Sequence, residues 1–251
     1  MSITRPGDYV IAIIARRIAG DIVMSEDPGS ALRKWREYFG ASQHEVAKQM
    51  GVSASVVSDY EKGRRLPGAR FIHRFVSALI VIDQSRGWTK IQELTRTLGL
   101  PAGAIIDMRE FREALTIEQL LEAVKGVLLA PDYPINKRVY GYTIVDSIKA
   151  IATLSGMQFY ALLGGTPERA IVFTGVRMGR SPMVAVRVSP VKPGIVVIHG
   201  PREKLDPLAV ELAKLDGVPL ILSLAESVDE LVKGLRKYSV GEAILPVGAL
   251  G

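Results

Sequence analysis

The chain has 251 residues, 48% of them hydrophobic, which is enough for one large or two modest folded domains and argues against disorder. It contains no cysteine, which excludes disulfides, thiolate nucleophiles and cysteine-ligated zinc; the three histidines lie far apart in sequence, so we expect neither a metal site nor a cofactor. The formal net charge of +6 favours a polyanionic partner.

The first predicted element is an amphipathic helix over residues 9–24. Val10, Ile14 and Ile18 recur at helical spacing and predict a buried face, against a neighbouring helix or a second subunit. The apolar run is broken by Arg16 and Arg17, well short of the roughly 20 residues that span a bilayer. We therefore predict a cytoplasmic protein, with this helix as a candidate dimer element.

A turn-rich break, "SEDPGS", is followed by a predicted helix that ends at Gly40, and then by "GASQHEVAKQMGVSASVVSDYEKGRR". Ser42 is placed as the N-cap of a short helix, with Glu45 three residues later as in a capping box. Gly51 permits a tight turn, and Ser53 is placed to cap a second short helix. This pattern predicts two helices of about two turns each, joined as in a helix-turn-helix.

The second of these helices has an outward face of short or polar residues. They are Ala54, Ser55, Ser58, Asp59 and Lys62. Short side chains let a backbone approach another surface closely, and the hydroxyl and charged groups suit base edges and phosphates. The alternative is a helical hairpin that only fills a core and has no role in DNA binding.

Residues 31–79 resemble the lambda-repressor-like helix-turn-helix of the Xre family of transcriptional regulators, above all in "SQHEVAKQMGVS" and "VSDYEKGRR". The resemblance implies that Gln43 contacts a phosphate and that the helix from Ala54 enters the major groove. It also implies that Ala54, Ser55 and Asp59 face bases, whereas Lys62, Arg64 and Arg65 lie near the DNA backbone. Ser53 and Ser58 complete the predicted DNA-binding set.

One departure from the family concerns the residues that read bases. Members often carry Gln or Arg where this chain has Ala54 or Ser55, and neither residue here makes a bidentate base contact. Sequence preference is therefore expected to be modest or to rest on DNA shape, with phosphate contacts supplying the affinity.

The basic excess is concentrated in the part of the chain that contains the hairpin. Residues 1–80 hold 12 Lys and Arg against 8 Asp and Glu, residues 81–138 hold 8 against 8, and residues 139–251 hold 12 against 10. This distribution also favours a DNA partner for the first region, although a solvated basic face is the plainer explanation for the charges alone.

Further helices are predicted over residues 69–82, 88–98 and 116–129. The last begins with a capping box at Thr116 and Gln119 and is the second candidate dimer element. Two prolines among polar residues predict a linker over 131–139. The predicted organisation is therefore a helical DNA-binding domain over 1–130 with its core at about 30–80, and a second domain over 140–251.

Beyond the linker, short apolar runs alternate with helical patterns, which predicts an α/β domain containing a parallel sheet. The predicted strands are "QFYALLGG", "RAIVFTGV", "PMVAVRVSP", "GIVVIHG", "PLILS" and "EAILPV"; the predicted helices are "TIVDSIKAIATLS", "KLDPLAVELAKLDG" and "SVDELVKGLRKYS". The expected fold class is thus multidomain, all-α followed by α/β.

No complete catalytic set is found in this second region. "TGVRMGRS" has the wrong spacing for a phosphate-binding loop and Arg180 in place of lysine. Glycine-rich turns after two predicted strands give a speculative set of ligand-binding residues: Thr174, Gly175, Arg177, His199, Gly200 and Arg202. A plain hairpin and an ordinary loop between strand and helix are the alternatives.

The sequence therefore predicts an archaeal-type transcriptional regulator that binds double-stranded DNA as a homodimer and is not an enzyme. Its C-terminal domain senses a small-molecule effector, assembles the oligomer, or does both. One alternative is a DNA-associated bridging or architectural protein without an effector. Another is an enzyme that acts on a phosphorylated small molecule through the C-terminal domain.

Overall fold

The computed structural model describes residues 6–101, 103–133, 135–164, 168–201 and 204–240. They divide into two compact units, one ending at Leu100 and the other beginning at Pro101. The predicted order, a helical unit followed by an α/β unit, is confirmed. The boundary, however, precedes the linker expected at 131–139, because residues 105–130 contribute two strands and a helix to the second unit.

The described residues of the first unit form six helices. They are α1 (Asp8–Val23), α2 (Pro28–Tyr38), α3 (Gln43–Met50), α4 (Ala54–Glu61), α5 (Ala69–Ser85) and α6 (Thr89–Thr97). Helix α2 begins inside the predicted break, because the side chain of Asp27 accepts a hydrogen bond from the backbone N–H of Ser30 (3.0 Å) and Pro28 occupies the first turn.

Helix α1 buries the face that its periodicity predicts. Val10, Ile14 and Ile18 are almost fully buried, and the helix packs against α5, α2 and α6 of the same unit. Across the described ranges, no helix combines the length and apolar character that crossing a membrane requires. The apolar face of α1 therefore forms part of the core of its own unit, and a role of α1 in dimerisation stays a prediction.

The second unit is a six-stranded sheet with helices on both faces. Its elements are β1 (Ile105–Thr116), α7 (Ile117–Val124), β2 (Gly126–Ala130), β3 (Arg138–Asp146), α8 (Ser147–Thr153), α9 (Gly156–Gly164), β4 (Arg169–Thr174), α10 (Arg180–Val188), β5 (Ile195–His199), α11 (Pro207–Asp216), β6 (Leu220–Ser223) and α12 (Val228–Arg236). The strand order is β1-β3-β4-β5-β6-β2.

The four central strands β3 to β6 run parallel, and the two edge strands pair antiparallel with them. Strands β4, β5 and β6 are buried along their whole length, as expected for parallel strands covered on both faces. Helices α8 to α11 cover one face, and α7 and α12 cover the other. The carboxyl ends of the parallel strands therefore meet at one edge of the sheet.

Four predictions for this unit are wrong. The helix expected at "TIVDSIKAIATLS" begins only at Ser147, because residues 143–146 belong to strand β3. "QFYALLGG" and "PMVAVRVSP" fall in helices α9 and α10, since each lies between parallel neighbouring strands that need a crossover connection. The helix expected over 116–129 ends at Val124, where Lys125 takes a left-handed conformation (φ 48°) and the chain turns into β2. The strand expected at "EAILPV" lies outside the described residues.

Candidate nucleic-acid interface

Helices α3 and α4, of eight residues each, form the predicted hairpin. Both hydrogen bonds of the capping box are present: the N–H of Glu45 donates to Oγ of Ser42 (3.1 Å), and the N–H of Ser42 donates to Oε2 of Glu45 (2.8 Å). Gly51 ends α3 with a φ of 62°, which glycine adopts without strain. These local signals fix where α3 starts and where the turn into α4 begins.

The inward face of the hairpin is apolar. Val46 and Met50 of α3 and Val57 of α4 are almost fully buried. The ring of Tyr60 stacks on Phe71 of α5, with centroids 3.7 Å apart. Because this face holds α4 against the helical core, the opposite face of α4 is turned toward solvent.

A buried carboxylate holds three helices together at the end of α4. Glu61 is only 3% exposed and accepts hydrogen bonds from Nε and Nη2 of Arg36 in α2, at 2.6 and 2.9 Å. Nη1 of Arg36 also donates to the carbonyl of Ala41, just before α3 (3.0 Å). This bidentate pair ties the end of α4 to α2 and to the start of α3.

Gln43, predicted to contact a phosphate, also belongs to this buried cluster. Its Nε2 donates to Oε2 of Glu61 (2.8 Å). The amide therefore positions α3 against α4 in the free protein. Sequence reasoning missed this role, because the only signal was a single acidic residue, Glu61, whose partner Arg36 is 25 residues away.

The charged groups of the hairpin are stabilised in their ionised forms. The hydrogen bond to Glu61 raises the pKa of Arg36 above its ordinary value, against the opposing effect of burial. Hydrogen bonds from the backbone and side chain of Ser42 lower the pKa of Glu45, and Arg86 adds to that shift. Each acid is thus matched by donors within the helical unit.

The outer face of α4 carries the short side chains that the sequence predicts. Ser55 and Lys62 are exposed, and Ala54, Ser58 and Asp59 are partly exposed. Ser53 occupies the N-cap position, but its side chain does not cap the helix as predicted; its Oγ instead hydrogen-bonds to Oγ of Ser55 (2.8 Å). Two hydroxyl groups are thereby held side by side at the start of α4.

Positively charged side chains lie beside the outer face of α4, and the one acidic side chain of that face is paired. Asp59 accepts from Nη1 of Arg64 (3.1 Å), which balances one charge on each side. Lys62, Arg65 and Arg70 are exposed, and no carboxylate in the described residues forms an ion pair with them. The exposed surface at the end of α4 and in the loop to α5 is therefore positively charged.

Arg74 of α5 and Arg86, the residue that follows this helix, make contacts that stabilise the fold. A guanidinium nitrogen of Arg74 donates to the carbonyl of Met50 at the end of α3. Arg86 donates to the carbonyls of Phe39 and Gly40 at 3.0 and 3.1 Å. Both arginines thus satisfy carbonyl groups at helix ends.

The speculative ligand-binding residues lie at the carboxyl edge of the sheet in the second unit. Thr174 ends β4, is buried, and donates to the carbonyl of Val145 (3.0 Å). Gly175 and Arg177 are exposed on the loop to α10. His199 ends β5, and Gly200 approaches that loop so closely that a Cβ atom would lie 2.1 Å from the carbonyl oxygen of Val176. Arg202 lies outside the described residues.

A small polar pocket of about 140 Å³ opens at the ends of β5 and β6. Its lining comprises His199, Gly200, Pro201, Ser223, Leu224, Ala225 and Glu226. Of the predicted ligand-binding residues, His199 and Gly200 line this pocket, and Thr174, Gly175 and Arg177 do not. In the part of the chain that the structure describes, no group of three or more His, Asp or Glu side chains is arranged to hold a metal ion.

Known proteins resemble this chain both in the helical hairpin and over most of its length. A helix-turn-helix domain model matches residues 29–86. An Archaeoglobus fulgidus protein named an uncharacterized HTH-type transcriptional regulator is 44% identical over 225 residues, covering 89% of this chain and 96% of the relative. A Methanocaldococcus jannaschii protein with the same type of name is 44% identical over 228 residues, covering 89% and 94%. No solved structure gives a significant match. The chain belongs to this family of archaeal helix-turn-helix transcriptional regulators, in which a further C-terminal domain follows the DNA-binding hairpin.

Proposed function

We propose that the protein binds specific sites on double-stranded DNA as a dimer, with α4 in the major groove. The observation that carries the proposal is the outer face of α4, which combines short hydroxylated side chains with exposed cations at one end. Helix-turn-helix dimers read two half-sites about 34 Å apart, one turn of DNA. The operator is therefore expected to be pseudo-palindromic.

The contacts divide into two kinds in this proposal. Ala54, Ser55 and Ser58 face base edges, where hydroxyl groups discriminate weakly and the methyl group of Ala54 meets thymine. Lys62, Arg65 and the N-terminal end of α3 face phosphates. Asp59 and Arg64 reach DNA only if their ion pair (3.1 Å) opens or is shared, so we assign them smaller contributions to affinity.

The test is selection of genomic DNA fragments by the purified full-length protein. Recovery of a shared pseudo-palindromic site is the expected outcome. Salt-sensitive binding without any shared site would favour the bridging or architectural alternative, since counterion release alone gives affinity without specificity. An absence of binding at low salt would contradict the proposal.

We further propose that the C-terminal domain modulates DNA binding. The polar pocket at the ends of β5 and β6 supports a small polar effector, because ligands of open α/β sheets collect at the carboxyl ends of the strands. The test is the affinity for the selected site with and without amino acids, nucleotides and sugar phosphates. If none of them changes the affinity or the thermal unfolding of the protein, the proposal of a small-molecule effector is contradicted. Assembly of the oligomer is then the remaining role proposed for the C-terminal domain.

A further inference from the structure

The two helical layers of the C-terminal domain present different surfaces to solvent. On α7 and α12 the exposed positions are polar or charged: Glu118, Gln119, Glu122, Asp229, Lys233 and Arg236. No large apolar side chain of these two helices is among the exposed ones, and both helices lie wholly within the described residues. This is the surface expected of helices that pack on a sheet and face water.

The opposite layer exposes large apolar side chains on every helix. They include Ile148 and Ile151 of α8, Met157 of α9, Val184 and Val188 of α10, and Leu215 of α11. Ile151 is 70% exposed and Val188 is 75% exposed. We call this surface the α8–α11 face. A soluble monomer rarely exposes so many large apolar groups on one side.

The two arginines of α10 are exposed, but each is paired with an acid at one end of α11. Arg180 pairs with Asp206, which caps α11 (2.8 Å), and Arg187 pairs with Asp216, the last residue of α11. The inner positions of α10, Pro182, Met183 and Val186, already fill the core. Val184 (42% exposed) and Val188 (75% exposed) leave much of their apolar surface uncovered in their own domain, and valine is not favoured at exposed helix positions for its helix propensity.

We propose that the α8–α11 face is the surface through which two copies of this chain associate. The exposed cations of α8, α10 and α11 are each paired with a carboxylate of the same domain; they are Lys149, Arg180, Arg187 and Lys214. Because these charges are already neutralised by their partners, two copies meet across a two-fold axis with little like-charge repulsion. The six large apolar residues named above are 42% to 76% exposed, so this face offers an apolar centre for an interface of the standard size, in which each partner buries about 800 Å². The inference rests on the dimer of the proposed function and names the surface that forms it.

A second apolar surface competes for this role in the helical unit. A groove of about 220 Å³ runs between α1 and α5, lined by Ala15, Ala19, Val23, Ile72, Val76 and Ile80. Ile72, Val76 and Ile80 are at most 5% exposed, and among the large apolar residues of this lining only Val23 is largely exposed (60%), so the groove offers much less apolar surface to a partner. We therefore assign the association to the α8–α11 face and treat the groove as an outcome of the test.

The first experiment measures the molar mass of the full-length protein in solution without DNA. The wild type is expected at twice the chain mass, and Val184→Glu/Val188→Glu at the mass of one chain. Val127→Glu is the matched control, since Val127 is an exposed valine (47%) on the edge strand β2; it is expected to stay dimeric. A monomeric wild type, or a dimeric Val184→Glu/Val188→Glu variant, overturns the proposal. If only Val23→Glu gives a monomer, the groove between α1 and α5 is the interface.

The second experiment does not depend on disruptive substitutions and uses the absence of cysteine from the chain. With Val188→Cys, we expect the thiol to react with a maleimide at least tenfold more slowly at high than at low protein concentration, or to form a covalent dimer on oxidation. Val127→Cys is expected to react at the same rate at both concentrations. Equal rates for the two variants overturn the proposal.

Both experiments are independent of DNA. A dimer through the α8–α11 face with no DNA binding would contradict the proposed function and leave this inference standing. If the protein binds specific DNA sites and the Val184→Glu/Val188→Glu variant remains dimeric, the proposed function stands and the inference about the α8–α11 face is contradicted.

Discussion

The two domains expose opposite chemistries. The helical domain presents serines and cations on α4 and on the loop that follows, whereas the C-terminal domain presents uncharged aliphatic side chains on α8 to α11. A polyanion is attracted by the first surface, and burial against another apolar surface is favoured by the second. The contrast supports the proposals that the helical domain binds DNA and that the C-terminal domain mediates self-association.

The interiors of the two domains nevertheless share one feature, a buried ion pair. Each domain contains a buried carboxylate held by an arginine of a distant element: Glu61 with Arg36 in the helical domain, and Asp107 with Arg236 in the C-terminal domain. Asp107 also accepts from the hydroxyl of Tyr142 (2.7 Å). In both cases the pair joins elements distant in sequence, so we expect its loss to loosen that domain specifically.

The largest effect on stability is expected from Glu61→Ala. Removing the buried carboxylate leaves Arg36 and Gln43 without their acceptor, which costs on the order of 3–5 kcal/mol of the free energy of unfolding. Both tryptophans, Trp35 and Trp88, lie in the helical unit, so denaturant unfolding followed by tryptophan fluorescence reports on that unit.

Glu37→Ala is the control for this measurement. Glu37 also contacts Arg36 (3.5 Å) but is largely exposed, so its loss is expected to change stability little. Equal destabilisation by the two variants would mean that burial of Glu61 is not what makes the network important.

Asp107→Asn is expected to cost about 3 kcal/mol in the C-terminal domain at neutral pH. Burial alone would raise the pKa of Asp107, but hydrogen bonds from Arg236 and Tyr142 outweigh it and hold the pKa below its ordinary value. The stability from ionised Asp107 is therefore present above the ordinary aspartate pKa and is lost as the pH falls through the lowered folded-state pKa.

The measurement is chemical unfolding of wild type and Asp107→Asn followed by circular dichroism, at neutral and at acid pH. The difference between the two proteins is expected to shrink as the pH falls. Asp132→Asn, which breaks an exposed pair with Lys214, serves as the control and is expected to have little effect. A difference for Asp107→Asn that is constant with pH would show that its charge is not the stabilising feature.

The smallest effect is expected from the caps of the two hairpin helices. Ser42→Ala removes the bond to the N–H of Glu45 and should cost about 1 kcal/mol. Ser53→Ala is the matched comparison at the start of α4, where the serine makes no capping bond, and should cost less. The free energy of unfolding of both variants is measured by denaturant unfolding followed by tryptophan fluorescence. A larger loss of stability for Ser53→Ala than for Ser42→Ala would contradict the capping geometry.

The hairpin could be predicted because its signals are local. Ser42, Glu45 and Gly51 act on residues no more than a few positions away, and the structure places them as the sequence indicates. The pairing of Glu61 with Arg36 could not, since it depends on how α4 packs against α2. Ser53 shows the limit even of local patterns, because its hydroxyl has Ser55 as a competing partner. The Xre subfamily and the individual DNA contacts stay predictions.

The C-terminal domain was predicted in class but not in detail. Alternating valines in "PMVAVRVSP" favour a strand, yet the segment must cross between parallel β4 and β5 and folds as α10. That requirement depends on the pairing of strands outside the segment. The expected domain boundary was wrong for the same reason, because β1 pairs with β3 across the sequence that separates them.

The central claim is that the charged outer end of α4 contacts DNA, and the affinity of Lys62→Glu/Arg65→Glu for duplex DNA at two salt concentrations tests it most directly. The control is Lys233→Glu/Lys237→Glu, which makes the same charge change at exposed positions at the end of α12. We predict that the first variant binds every DNA sequence more weakly than the wild type. The slope of the logarithm of its affinity against the logarithm of salt concentration should fall in magnitude by about one unit per lost phosphate contact. The control is expected to bind like the wild type. Equal affinities and salt slopes for both variants and the wild type would contradict the account.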